Sequence, residues 1–185
     1  MKKLLIVVDY QNDFVDGTLG FPGAELLEER IAAKIDEYRE AGNDICFTLD
    51  MHGKSYLDTL EGTNLPVEHC IEGTPGSDLY GSIAERVGAC DLVFEKPTFG
   101  SKELFYRLAG IQKAADEVGT KPFASIELVG LVSNICVIAN AVLAKTACPE
   151  VPIIVDASCT DSFDRALQDK AFDVMEGLQI QVINR

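Results

Sequence analysis

A chain of 185 residues in which 47% are hydrophobic can bury one sizeable core and is short for two, so one domain over 1–185 is expected. Its formal net charge of -14, with Lys and Arg scattered along the chain, sets it against nucleic acid phosphates and anionic lipid surfaces and leaves a small molecule as the expected partner. Its 6 cysteines show no CxxC and no regular spacing, which excludes a disulfide framework and implies a reducing compartment.

The start, Met1 to Asp9, imitates a secretory leader, but its apolar run spans only Leu4 to Val8 and ends in an acid. No other stretch approaches the length of a membrane span, so a cytoplasmic protein is expected. That same run, Leu4 to Val8, reads as the first buried strand. Gly17, Gly20 and Gly23 follow in a turn-like segment whose spacing is not GxGxxG, which sets a dinucleotide loop aside. Leu27, Ile31, Ile35 and Tyr38 then recur at helical spacing, and Gly42 is placed to end that helix. Further strands are predicted at Ile45 to Leu49, Leu92 to Phe94, Ile126 to Val129, Ile153 to Val155 and Ile180 to Ile183. Helical periodicity returns over Ser133 to Lys145 and Phe163 to Met175, while Ala109 to Phe123 reads as either an insertion or a lid. Continuous apolar strands alternating with helices imply an α/β fold, a three-layer α/β/α sandwich with a mostly parallel, doubly wound sheet.

Open sheets of this kind bind ligands beyond the carboxyl ends of their strands. The reactive side chains there are Asp9 after the first strand, Asp50 and His52 after the second, Lys96 after the third and Cys136 beyond the fourth. Cys136 falls near a helix start, where the helix dipole and the Lys96 ammonium are expected to favour its thiolate. Asp9, oriented by Lys96, is placed to accept the thiol proton and return it to a leaving amine, and free amides of the Gly130 to Val137 turn are available as an oxyanion hole. Cys46, Cys70, Cys90, Cys148 and Cys159 are expected to be packing residues. Asp50 and His52 also form a candidate metal corner.

The segments Leu5 to Phe14, Phe47 to His52, His69 to Gly76, Lys96 and Gly130 to Val137, in this order, resemble the isochorismatase-like cysteine hydrolase superfamily and, within it, the nicotinamidase-related amidases. The resemblance implies a six-stranded parallel sheet, an Asp9, Lys96 and Cys136 triad, and often a homo-oligomer. It also implies a cis peptide between Val132 and Ser133, with the amides of Val132 and Cys136 lining the oxyanion hole. The implied reaction is attack on an amide carbonyl, loss of ammonia or an amine, and hydrolysis of the thioester.

A divalent metal is implied as cofactor, zinc in the first place with iron or manganese as alternatives, held by Asp50, His52 and His69. The fourth ligand is Asp58 or Glu61, with Glu61 preferred. Nicotinamidases commonly carry an aromatic ring three residues before the second metal histidine, and here that residue is Pro66, so Phe14 and Phe99 remain as the aromatic wall of the substrate site. The leading expectation is an amidohydrolase that releases ammonia from nicotinamide or a similar small amide. The alternatives are a metal-free carbamoyl or ureido amidase of the same superfamily, and a non-catalytic small-molecule-binding module on the same scaffold.

Overall fold

Strand β1 (Leu4–Val8) is buried on both faces, as its uninterrupted apolar run requires. Leu4, Ile6 and Val8 face one side of the sheet and Leu5 and Val7 the other, following the two-residue period of extended chain. The computed structural model describes residues 1–185. In it, β1 is joined by β2 (Asp44–Asp50), β3 (Leu92–Lys96), β4 (Ile126–Leu131), β5 (Ile153–Asp161) and β6 (Gln181–Ile183). The sheet has 6 strands in the order β3-β2-β1-β4-β5-β6, and every pairing is parallel. No helix is long and apolar enough to cross a membrane.

Helix α1 (Glu28–Glu40) covers the Leu5 and Val7 face with Ile31, Ile35 and Tyr38. Its end comes where the sequence places it, with Gly42 at φ 69 reversing the chain and donating its N–H to the Arg39 carbonyl. A short helix α2 (Leu60–Asn64) follows β2 in the loop to β3 and is capped by the Thr59 hydroxyl. The opposite face is covered by α3 (Lys102–Glu117), α4 (Ile138–Ala147) and α5 (Arg165–Gly177), through Leu104, Leu108, Ala141, Ala144, Phe172 and Met175. Full burial of each large apolar side chain stabilises the fold by roughly 1.5–3 kcal/mol. Ser101 and Asp164 cap α3 and α5 by accepting from the Leu104 and Leu167 amides.

Ala109 to Phe123 is neither an insertion nor a lid. It is the second half of α3 and the loop that returns to β4, with its apolar positions packed on the sheet. The predicted helix from Ser133 begins as a π-helical turn, Ser133–Val137, before α4 proper. The helix predicted from Phe163 begins only at Arg165, because Asp164 is its cap, and Phe163 is left outside and 63% exposed.

The strand order reverses between β1 and β4, so the chain leaves their carboxyl ends in opposite directions and opens a crevice there. Gly130 makes this close pairing possible: its φ is 109, and a Cβ at that position would lie 2.0 Å from the Val8 carbonyl oxygen.

Candidate active site and metal centre

Asp9 is the first residue beyond β1 and adopts φ 46, a left-handed conformation that Asp tolerates better than most side chains. The turn leaves its fully buried carboxylate beside Thr48, whose hydroxyl donates to Oδ1 at 2.6 Å. Parallel pairing of β2 with β3 sets Asp50 opposite Lys96 at the two strand ends. Lys96, 2% exposed, reaches Asp9 Oδ2 at 2.7 Å, Asp50 Oδ1 at 3.4 Å and Cys136 Sγ at 3.7 Å. The structure therefore brings Asp9, Lys96 and Cys136 together from three separate strand ends.

Burial works against the Lys96 ammonium, but the negative groups of Asp9, Cys136 and Asp50 outweigh it and hold the group firmly charged. Burial likewise raises the Asp9 carboxyl, with Lys96 opposing it. Two influences compete at the sulfur. Burial, reinforced by the nearby Asp9, pushes the Cys136 thiol well above its usual range, and Lys96 only partly offsets this. The Cys136 sulfur and the Asp9 carboxyl thus share the Lys96 ammonium as their common neighbour.

The turn that carries Cys136 departs from expectation in one respect. The cis peptide bond lies between Leu131 and Val132, one residue earlier than the Val132 to Ser133 bond expected. The cis bond thus falls at the end of strand β4, and the Val132 carbonyl beyond it is the first acceptor of the helical segment, taking the Ile135 amide at 3.1 Å and the Val137 amide at 3.2 Å. Ser133 is buried in the turn and its hydroxyl has no hydrogen-bond partner.

A second cluster adjoins the first. One donor atom each from Asp50, His52, Glu61 and His69 lies within 4.8 Å of all the others. His52 Nε2 is 3.1 Å and His69 Nε2 is 3.3 Å from Asp50 Oδ2, and both face Glu61 Oε1 at 3.8 and 3.9 Å. Of the two carboxylates considered for the fourth position, Glu61, on α2, belongs to this cluster and Asp58 does not.

The donor set fits a divalent ion. His69 Nδ1 sits 2.8 Å from the Val67 carbonyl and must donate to it, so in the neutral ring Nε2 presents a lone pair to two carboxylate oxygens. A cation between them relieves that repulsion. Ligand bonds of ~2.0–2.2 Å in a tetrahedron give donor separations of about 3.3–3.6 Å, within the spread of 3.1 to 3.9 Å between the imidazole nitrogens and the two carboxylates. Without a metal, the same crowding raises the His69 pKa: burial lowers it, but Asp50, the Val67 carbonyl and Glu61 outweigh burial. The Asp50 carboxyl is held well below its usual range, since His52, His69 and Lys96 overcome its burial.

Both clusters open on one cleft of about 370 Å³, walled by Phe14, Phe99, Phe163 and Leu65 with Cys136 and His69 at its base. Phe14 packs on the His69 ring at 5.6 Å. Several residues that hold the site escaped the sequence reading. Gln11 clamps the end of β2, donating to the Asp50 carbonyl at 2.9 Å and accepting from the Asp50 amide at 2.7 Å. Asp13 accepts from the Cys70 amide at 2.7 Å and so fixes the His69 loop. Asn140 donates to the Phe99 and Cys136 carbonyls at 3.1 and 2.8 Å, tying a cleft wall to the cysteine turn. The available signal was three polar residues, Gln11, Asn12 and Asp13, following directly on a buried strand.

The chain belongs to the isochorismatase family, whose domain model matches residues 3–185. An isochorismatase family protein of Bacillus subtilis is 32% identical over 148 residues, covering 77% of this chain and 78% of that protein. The nicotinamidase/pyrazinamidase of Mycobacterium tuberculosis is 25% identical, with 98% of each chain covered. The crystal structure of the pyrazinamidase of Pyrococcus horikoshii in complex with zinc shares the fold, with a TM-score of 0.81 over 100% of both chains at 21% identity. With relatives of this kind the protein is a hydrolase acting on carbon–nitrogen bonds of amides.

Proposed function

We propose that the protein is a cysteine-dependent amidohydrolase that releases ammonia from nicotinamide or an amide of similar size through a thioester. The observation that carries this reading is the contact of one buried ammonium with both a carboxylate and a thiol, 2.7 and 3.7 Å away, at the base of a cleft. Asp9 takes the thiol proton as Sγ bonds to the amide carbonyl carbon. Lys96 keeps the paired charges in place and stabilises the sulfur as it becomes negative. The amides of Val132 and Cys136 receive the carbonyl oxygen, each such donor contributing ~3 kcal/mol in the transition state. Collapse of the tetrahedral intermediate breaks the carbon–nitrogen bond, and the proton held on Asp9 leaves with the nitrogen as ammonia. Water then adds to the thioester, giving a proton to Asp9 that returns to sulfur as the carboxylic acid departs.

Asp50, His52, Glu61 and His69 would hold a divalent metal, zinc by preference for two imidazoles and two carboxylates. When bound, the ion supplies a Lewis-acidic anchor for an electron-rich atom of the substrate ring. Phe14 and Phe99 flank that ring.

The test is a panel of small amides assayed for ammonia release before and after chelation. Release from nicotinamide or a close analogue, diminished by chelator and restored by zinc, is the expected result. Ammonia release from no amide at all would refute the reading.

A further inference from the structure

The cleft that holds Cys136 does not end at the aromatic wall. Beyond it lies a second cavity of about 640 Å³, and Glu61, Leu65, Phe99, Ile135 and Phe163 line both. The two adjoin, with Cys136 in the inner one and the metal cluster between them, Asp50 and His69 on the inner side, His52 on the outer and Glu61 on both. At the junction Phe99 is 45% exposed, Phe163 63% and Leu65 37%, and farther out Leu60 is 80% exposed. These apolar side chains are covered by nothing in the chain. Besides His52 and Glu61 of the metal cluster, the polar residues of the outer compartment are the uncharged Ser55, Tyr56, Thr59, Asn64 and Thr98, and no Lys or Arg lines it.

The inner end fixes which part of a substrate points outward. Asp9, which must hand its proton to the leaving nitrogen, is fully buried and does not line the cleft, so the nitrogen sits against a closed floor with no space for a substituent. A path for the acyl part of the molecule runs past Phe99 and Phe163 toward the outer compartment.

We infer that, beside single-ring amides, this site takes uncharged primary amides whose acyl group extends beyond the ring, the distal part lying apolar against Leu60, Leu65 and Phe163. The inference rests on the reading of Cys136 as nucleophile and adds the class of substrate to it. A carboxylate at the distal end is disfavoured by the lack of Lys and Arg in the outer compartment, by Glu61 in its lining and by the chain's net charge of -14.

The experiment compares kcat/KM for ammonia release from two primary amides, one a single aromatic ring and one the same ring carrying an apolar extension. It is run on the parent and on Asn64→Trp, which narrows the outer compartment at a residue that lines only that compartment. A methylene or two seated in an apolar pocket is worth roughly 10-fold or more. The parent is expected to favour the extended amide by about that factor, and Asn64→Trp to erase the preference while leaving the single-ring amide unaffected. Equal rates for the two amides in the parent, or a parallel loss on both in the variant, would overturn the inference while the amidase reading stands. Absence of ammonia from either substrate would instead sink the catalytic reading beneath it. A polar probe, Leu60→Asp, gives a second readout, with KM expected to rise for the extended amide alone.

Discussion

Two lysines in this protein are each gripped by a pair of acids, and only one of them belongs to a site. Lys34, on α1, bridges Glu127 of β4 and Asp156 of β5, with both contacts at 2.9 Å. Tyr38 donates to Glu127, while Ser158 and Asn184 donate to Asp156, so the acids are held from several sides. Lys96 makes a similar bridge between Asp9 and Asp50, but its third neighbour is a thiol at 3.7 Å and the ensemble faces a cleft. A buried ion cluster is thus no sign of chemistry in itself. What separates the two is a thiol within reach of the ammonium, and a cleft beside it.

The comparison can be broken most severely at Lys96. Lys96→Met leaves Asp9 without its counter-charge and the sulfur without a stabilising cation, and amide hydrolysis is expected to fall by ~10³-fold or more in ammonia-release assays. His69→Ala acts on the neighbouring cluster. Its expected signature is loss of bound metal, read by elemental mass spectrometry, with a rise in KM of about tenfold and a little-changed unfolding midpoint.

At Lys34 the expectation reverses. Lys34→Met strands two carboxylates with no cation, so stability should drop by about 3 kcal/mol in urea titration while activity per folded molecule is retained.

The smallest effect is in pH. Burial of Asp156 opposes ionisation, but hydrogen bonds from Asn184 and Ser158 and the Lys34 ammonium outweigh it and hold the carboxyl below its ordinary value. A carboxyl whose folded value is depressed stabilises the protein fully above its unfolded value, about 3.9, and loses that contribution as pH falls through the folded value. The urea midpoint of the parent should therefore decline below about pH 4, and Asp156→Asn should show a shallower decline over the same range.

Much of this architecture was legible in the residues. Leu4 to Val8 and Ile126 to Val129 could only be strands covered on both faces, and the spacing of Ile31, Ile35 and Tyr38 could only seat one helix stripe on them. Asking what stands at each strand end was enough to collect Asp9, Asp50, Lys96 and Cys136, because register in a parallel sheet brings those ends to one rim.

Other features depended on contacts that no periodicity records. The cis bond falls between Leu131 and Val132, and burial pushes the Cys136 thiol up, neither of which leaves a mark in the spacing of residues. Phe163 was assigned to a helix because its apolar character continued the stripe, yet Asp164 caps that helix and frees the ring for the cleft. Gln11, Asp13 and Asn140 act by bonding to backbone far away in sequence, at Asp50, Cys70 and Phe99, which lie 39, 57 and 41 positions from them.

The sulfur of Cys136 is the point on which the whole comparison turns. Ammonia release by Cys136→Ala, measured on protein whose unfolding midpoint and metal content match the parent, tests it most directly. The expected result is activity indistinguishable from the uncatalysed background, with an acyl adduct detectable by intact-mass spectrometry only in the parent. Undiminished ammonia release from the alanine variant would contradict the account.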